Sequence, residues 1–245
     1  KTFAGALKVV KVDVDSAPMV AERLAARSIP LLLILENGKE RGKQVGAVGP
    51  DALQKWIEAS CLPVGTSFRC QDLFDNRSPS YAGDVGIGIN PKLAQRIKEA
   101  DVLLVIGARL GEMTTSAYSL VDVPVPHQTL VHVHAGAEEL GRVYRPALAI
   151  NSGMAPFVEA IEKLGFDGPW KARTDQARKE FLEWTEPRPM PGQVQYGEVI
   201  RWLSDRLPED AIIAGGAGNF AGWLHRHFRY EGFRTQLGAT NGSMG

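Results

Sequence analysis

Val102-Leu-Leu-Val-Ile-Gly-Ala-Arg-Leu-Gly-Glu112 opens on five aliphatic residues and closes on two glycines and an arginine. An apolar run without polar alternation predicts a strand buried on both faces, as parallel sheets require. Pro91 to Ala100 before it has a helical pattern, with Asn90-Pro91 as cap and first-turn proline. Thr129 to Val133 after it is a second apolar strand, and Leu62 to Ser67 an earlier one. Ala137 to Tyr144, Pro156 to Leu164 and Trp170 to Trp184 read as further helices. Short buried strands alternating with helices predict an α/β fold whose parallel sheet is covered on both faces. Gly83 to Gly88 is spaced loosely like a dinucleotide loop, but no strand is predicted before it, so it is set aside.

The first 59 residues have another rhythm. Val9 to Asp15 alternate as a strand does, and Ser16 with Pro18 starts a helix running to about Arg27. Leu31 to Leu35 follow as a strand of the same sheet, and Asn37-Gly38 turns the chain into an antiparallel strand reaching about Val48. Pro50 to Ala59 is an amphipathic helix with Leu53, Trp56 and Ile57 on one face. At the other end, three prolines and a glycine in Glu186 to Gly192 predict an extended connector and a domain boundary. A helix from Tyr196 to Leu207, a buried strand from Ala211 to Ala214 and the turn Gly215-Gly216-Ala217-Gly218-Asn219 follow.

Composition excludes several classes of partner. Lys plus Arg and Asp plus Glu both number 28, so no long-range field draws the chain to nucleic acid or to an anionic membrane. The basic run His225 to Arg229 is expected to be a solvated helix end. With no span-length apolar stretch and no leader-like opening, a cytoplasmic location is the expectation. Cys61 and Cys70 are too few and too far apart for a redox pair, a disulfide framework or a zinc site, and are expected to be ordinary thiols.

Val9 to Asp15, Ser28-Ile29-Pro30, Leu31 to Gly38 and the closing helix together resemble the second half of thioredoxin. The resemblance implies a cis bond at Pro30 beside redox cysteines. Those cysteines belong to a segment upstream of Lys1, so no disulfide exchange is expected here.

From Leu62 onward the chain resembles the central domain, and then the start of the cofactor domain, of acetolactate-synthase-like thiamine diphosphate enzymes. The motifs that carry this are Leu62 to Gln71, Tyr81-Ala-Gly-Asp-Val-Gly86, Asp101 to Gly111, Val131 to Val143 and Gly242-Ser-Met-Gly245. The implied organisation is a partial thioredoxin-like unit over 1–59, a Rossmann-like parallel α/β domain over 60–185, and a truncated thiamine-diphosphate-binding α/β domain over 193–245. The join between the two resemblances falls between about 46 and 61.

Acetolactate synthases place FAD at the end of the strand matching Val102 to Ile106. They continue it with Phe-Asp-Asp-Arg where this chain has Leu110-Gly111-Glu112-Met113, which puts FAD binding in doubt. The residues themselves read as a tight turn at Gly107 and Gly111 with Arg109 in a surface ion pair. His132 and His134 share a strand face, but with no third ligand evident they are expected to be satisfied core or rim histidines.

Cofactor contacts implied by the resemblance fall on Gly216, Gly218 and Asn219, toward the diphosphate, and on Gly242, Ser243 and Met244, toward the aminopyrimidine. Phe220 departs from the polar residue usual beside Asn219. The catalytic glutamate and the Mg²⁺-binding segment match no residue of this chain, so no catalytic or metal residue is assigned. The expectation is a fragment of a thiamine-diphosphate- and Mg²⁺-dependent enzyme acting on a small 2-oxo acid, homo-oligomeric in its family and inactive by itself. The alternatives are a non-catalytic nucleotide-binding module using the Gly107 to Arg109 turn, and a thioredoxin-like interaction domain without redox activity.

Overall fold

A computed structural model describes residues 12, 16–24, 31–36, 39–45, 51–165 and 168–239. The chain divides into two compact units, Lys1–Val48 and Gly49–Gly245. In the first, α1 (Pro18–Arg23) begins on the predicted proline, and β1 (Leu31–Glu36) pairs antiparallel with β2 (Lys39–Val45), as expected for Leu31 to Leu35. The helix ends four residues before the predicted Arg27. Pro30, Asn37-Gly38 and all of Val9 to Asp15 except Val12 lie outside the described residues.

The second unit opens with α2 (Asp51–Ala59), whose Trp56 and Ile57 are buried on the face the pattern marked. Then come β3 (Val64–Ser67), β4 (Tyr81–Val85), α3 (Pro91–Lys98), β5 (Val102–Ile106), β6 (Thr129–His134), β7 (Leu148–Asn151), α4 (Met154–Ile161) and α5 (Lys171–Thr185). The unit continues with α6 (Tyr196–Ser204), β8 (Ile213–Gly215), α7 (Ala221–His227) and β9 (Gln236–Gly238). Every strand pair here is parallel: β3 with β4, β5 and β7 on either side of β6, and β8 with β9. Asn90 caps α3 as predicted, its side chain accepting from Lys92 N–H at 3.0 Å.

One face of β5–β6–β7 packs Ile106, Val133 and Ile150 against Trp56, Ile57, Phe157 and Ile161 of α2 and α4. The other packs Leu103, Val105 and Leu130 against Leu120, Val121 and Tyr144. Leu130 and Val133 are completely buried, so β6 is the spine of the core. The cover is not complete on both faces. Val102 is 60% exposed and Leu148 52% at the starts of the strands flanking β6.

Four local expectations are corrected. A strand does run into Gly83 to Gly88: β4 pairs with β3, and Gly83 takes a φ of +120° where the register slips by one residue. Ala137 to Tyr144 is no α-helix. A single 3-10 turn covers Ala137–Glu139, and Gly141 at a φ of +79° turns the chain away. The strand predicted at Ala211 to Ala214 is Ile213–Gly215, and the helix predicted from Pro156 starts two residues earlier.

The basic run His225 to Arg229 is not a solvated end. Arg226 stacks 3.7 Å over the Trp184 ring and its Nε donates to the Trp184 carbonyl at 2.7 Å. His227, 2% exposed, bonds through Nδ1 to the Thr185 carbonyl at 2.9 Å, and Arg201 donates to that same carbonyl. The last carbonyls of a helix have no intrahelical partner. Those ending α5 find theirs on α6 and α7, and that draws the basic run inward.

Candidate functional site

Two sheet edges collect the residues singled out in the sequence. At the carboxyl end of β5, Gly107 turns at a φ of +70° while its N–H holds the Val133 carbonyl at 2.8 Å. Arg109 reaches Glu139 at 3.0 Å and Arg142 reaches the same carboxylate at 2.8 Å. Arg109 therefore sits in the surface pair expected of it. Burial works against ionisation of Glu139, but the two guanidiniums outweigh it and hold the carboxyl below its usual range.

His132 is 2% exposed, and its Nε2 lies 3.0 Å from the Ala108 carbonyl, which can only accept, so Nε2 carries the proton. Burial lowers its pKa and keeps it neutral. His134 bonds the backbone of Gly136 through Nδ1. Both histidines are satisfied within the fold. Among the described residues no group of three His, Cys, Asp or Glu side chains is placed to hold a metal ion.

Between these groups lies a cavity of about 110 Å³ lined by Arg109, Tyr118, His132, Glu139, Arg142 and Tyr144. Ligand pockets usually span about 300–1,000 Å³. This cleft is smaller than that, and both arginines at its mouth already hold a carboxylate.

The second edge is formed by β8 and β9. Their parallel pairing sets Gly215 against Gly238, so the turn after β8 and the chain leaving β9 emerge side by side. Gly216, Gly218 and Asn219 are exposed on this turn, and Gly218 takes a φ of +128°. None of the N–H groups of Ala217, Gly218, Asn219 and Phe220 is used in a backbone hydrogen bond among the described residues. A methyl group at Gly216 would meet the Phe220 ring at 3.2 Å, and at Gly218 at 3.1 Å, and Gly218 also holds a φ that favours glycine. Free N–H groups at a tight turn form an anion cradle, which suits a diphosphate. Gly242, Ser243 and Met244 lie outside the described residues.

A network that no motif announced fixes this edge to the rest of the unit. Asp72 Oδ2 accepts from the N–H groups of Thr235 and Gln236 at 3.1 and 3.2 Å. The Gln236 side chain answers, accepting from Gln71 N–H at 2.6 Å and donating to the Phe68 carbonyl at 3.0 Å. Gln71 Nε2 lies 3.1 Å from His225 Nδ1, a ring that burial keeps neutral and able to accept. Asn76 and Tyr230 exchange two further bonds, both at 2.9 Å. Phe68, Gln71 and Asp72 fall in or beside the Leu62 to Gln71 motif, but a bond from a side chain to distant backbone leaves no periodic signal.

The two cysteines are free thiols. Among the described residues no helix is long and apolar enough to cross a membrane.

Residues 19–161, more than half of the chain, match the family described as thiamine pyrophosphate enzyme, central domain. The chain is 23% identical over 198 residues to the acetolactate synthase isozyme 2 large subunit of Escherichia coli, an alignment covering 79% of this chain and 35% of that protein. It is 23% identical over 219 residues to a sulfoacetaldehyde acetyltransferase of Alcaligenes xylosoxydans, covering 76% and 36%. Thioredoxin M4 of Arabidopsis thaliana is 38% identical over 58 residues, 24% of this chain and 30% of the thioredoxin. The chain spans about a third of the length of the curated relatives it matches.

Proposed function

The chain belongs to the thiamine pyrophosphate enzyme family, and on that premise we propose that it is a segment of an acetolactate-synthase-like enzyme that condenses or decarboxylates a small 2-oxo acid. The observation that carries the reading is the β8–β9 edge. Its parallel strands bring a glycine turn, whose N–H groups make no backbone hydrogen bond among the described residues, to the same side as the end of β9, the strand that precedes Gly242, Ser243 and Met244 in sequence.

In this reading the backbone of Gly216 and Gly218 and the side chain of Asn219 hold the diphosphate of thiamine diphosphate, and Gly242, Ser243 and Met244 its aminopyrimidine. When bound, the cofactor supplies a nucleophilic thiazolium carbon and a sink for the electron pair released from the 2-oxo acid. Mg²⁺ would balance the diphosphate charge. Bonds from Asp72, Gln71 and Asn76 hold Tyr230, and β9 next to the turn after β8, to the rest of the unit. Phe220, 54% exposed, shields the turn without offering the diphosphate a hydrogen bond. The organisation proposed is a thioredoxin-like stretch over 1–59, the central domain over 60–185 and the cofactor-binding part over 193–245. The antiparallel β1–β2 hairpin and the thioredoxin M4 identity support the first of these. Assembly into a homo-oligomer is part of the same proposal, as in the family.

Saturation-transfer NMR, which detects millimolar binding, tests the reading. The expected result is a signal from thiamine diphosphate with Mg²⁺ that weakens in Gly218→Val. A signal from ADP or FAD in its place would overturn the reading in favour of a nucleotide-binding module. Silence with all three would leave a thioredoxin-like interaction segment as the better description.

A further inference from the structure

The cleft beyond β5 contains an unusual charge arrangement. Arg109 and Arg142 converge on a single oxygen, Glu139 Oε1, at 3.0 and 2.8 Å. The guanidiniums are 63% and 57% exposed while the carboxylate is only 13% exposed, so the cations lie at the cleft mouth and the anion sits beneath them. An oxygen flanked by two forked guanidiniums is the environment a phosphate oxygen takes when arginines bind it.

We propose that Glu139 is a resident counter-ion that occupies the place of a phosphate oxygen, closing the Arg109 and Arg142 pair against diphosphate-bearing ligands. Three features of the cavity support a ligand-shaped site beneath this plug. The Tyr144 hydroxyl faces burial without a hydrogen bond of regular geometry, although Thr115 is near enough to pull weakly on its proton. Ser116, Ala117 and Tyr118 take left-handed φ values of 51°, 56° and 61° in succession. Such backbone is disfavoured for residues other than glycine and gathers at ligand clamps. Thr115 holds the strained turn, its hydroxyl donating to the Gly111 carbonyl at 2.9 Å and accepting from Tyr118 N–H at 3.2 Å. His132 brings no competing charge, since its Nε2 proton is committed to Ala108.

Glu139 has the advantage of being tethered. An intramolecular partner acts at high effective concentration, so an external diphosphate competes poorly with it. Removing the negative charge while keeping the side-chain shape should open the pair. The cleft lies at a different sheet edge from the β8–β9 turn, and its test does not involve thiamine diphosphate.

The experiment is calorimetric titration of inorganic pyrophosphate and of ADP, without Mg²⁺ and at low salt, into the chain and into E139Q. The chain is expected to give no binding heat at millimolar ligand. E139Q is expected to bind pyrophosphate with a gain of about tenfold or more, and adding R109Q to E139Q should abolish it. Tighter binding of ADP than of pyrophosphate by E139Q would identify a nucleotide as the excluded ligand; equal binding would identify the diphosphate alone. Binding by the unmodified chain as tight as by E139Q, or none by a folded E139Q, would overturn the proposal. Side-chain Nε–H NMR signals of the unmodified chain give an answer without any substitution. They should stay fixed as pyrophosphate is added, and movement of the signals of both arginines would refute the plug.

Discussion

Asp72 and Gln236 lie 164 residues apart in sequence, yet the carboxylate of one accepts the backbone N–H of the other at 3.2 Å. The same oxygen accepts Thr235 N–H at 3.1 Å, so one side chain anchors the start of the three-residue strand β9. A strand this short has little ladder of its own. Asp72→Ala is expected to cost about 1–3 kcal/mol and to speed amide exchange at Thr235 and Gln236 more than at Leu130. Uniform acceleration across both would contradict a local anchor.

Gly86 sits at a φ of +135°, where a Cβ would approach Phe68 Cδ1 at 2.5 Å and the Met113 carbonyl at 3.1 Å. Gly86→Ala therefore combines a disfavoured backbone with a clash against packed aromatic and backbone atoms. Destabilisation of about 2 kcal/mol or more is expected, read from urea unfolding. Gly88, also left-handed at a φ of +78° but with open space around it, should tolerate alanine better, losing about 1 kcal/mol.

Asp84 is buried on β4 with one carboxyl oxygen unpaired, and burial pushes its pKa up to about 7, against a small opposing pull from its own backbone N–H. The folded pKa is above the unfolded value of about 3.9. The folded state therefore binds the extra proton between those values. Its contribution is full below about pH 4 and is lost as pH rises through 7. Stability should fall by at most about 4 kcal/mol between pH 4 and pH 8 from this group. Asp84→Asn should remove most of that slope in denaturant melts taken across the range. An unchanged slope would show that another group sets it.

Purified chain with pyruvate, Mg²⁺ and thiamine diphosphate is expected to form acetolactate no faster than a blank without protein. The contacts proposed at Gly216, Gly218 and Asn219 amount to a few hydrogen bonds of about 0.5–1.5 kcal/mol net each, and no described residue is assigned the general acid–base help worth about 10²–10⁴ in rate. Turnover above the blank would mean that a residue of this chain serves as the proton-transfer group.

Much of the second unit was legible because its signals are local. The aliphatic run at Val102 to Ile106 is β5, and Asn90-Pro91 does start α3. The pairing of β1 with β2 likewise followed from two short runs about a turn. What escaped depends on distant partners. β7 and β9 have four and three residues, too few for a period, and form only because β6 and β8 lie beside them. The Glu139 clamp was half visible: Arg109 was expected to pair, but its partner lay in a stretch read as helix, where the positive φ of Gly141 was not anticipated. Gly216, Gly218 and Asn219 do share one turn at a strand end, whereas the Asp72 anchor beneath them had no sequence signature.

The slipped register at Gly83 divides β4 into two halves of opposite parity. Val64 opposes Tyr81 and Thr66 opposes Asp84, so Tyr81 and Asp84 stand on one side although they are three residues apart. Ala82 and Val85 share the other, against Leu93 and Ala177. An even count along the strand would have sent Asp84 into that aliphatic layer. The odd step delivers it to the side where Thr66 Oγ1 and Tyr81 Oη meet at 3.1 Å. Deleting one residue between Tyr81 and Asp84 would remove the slip and leave Asp84 on the Tyr81 side, whereas regular alternation at the present length would exchange the carboxyl for the valine. The frame of β4 is thus counted from its glycine.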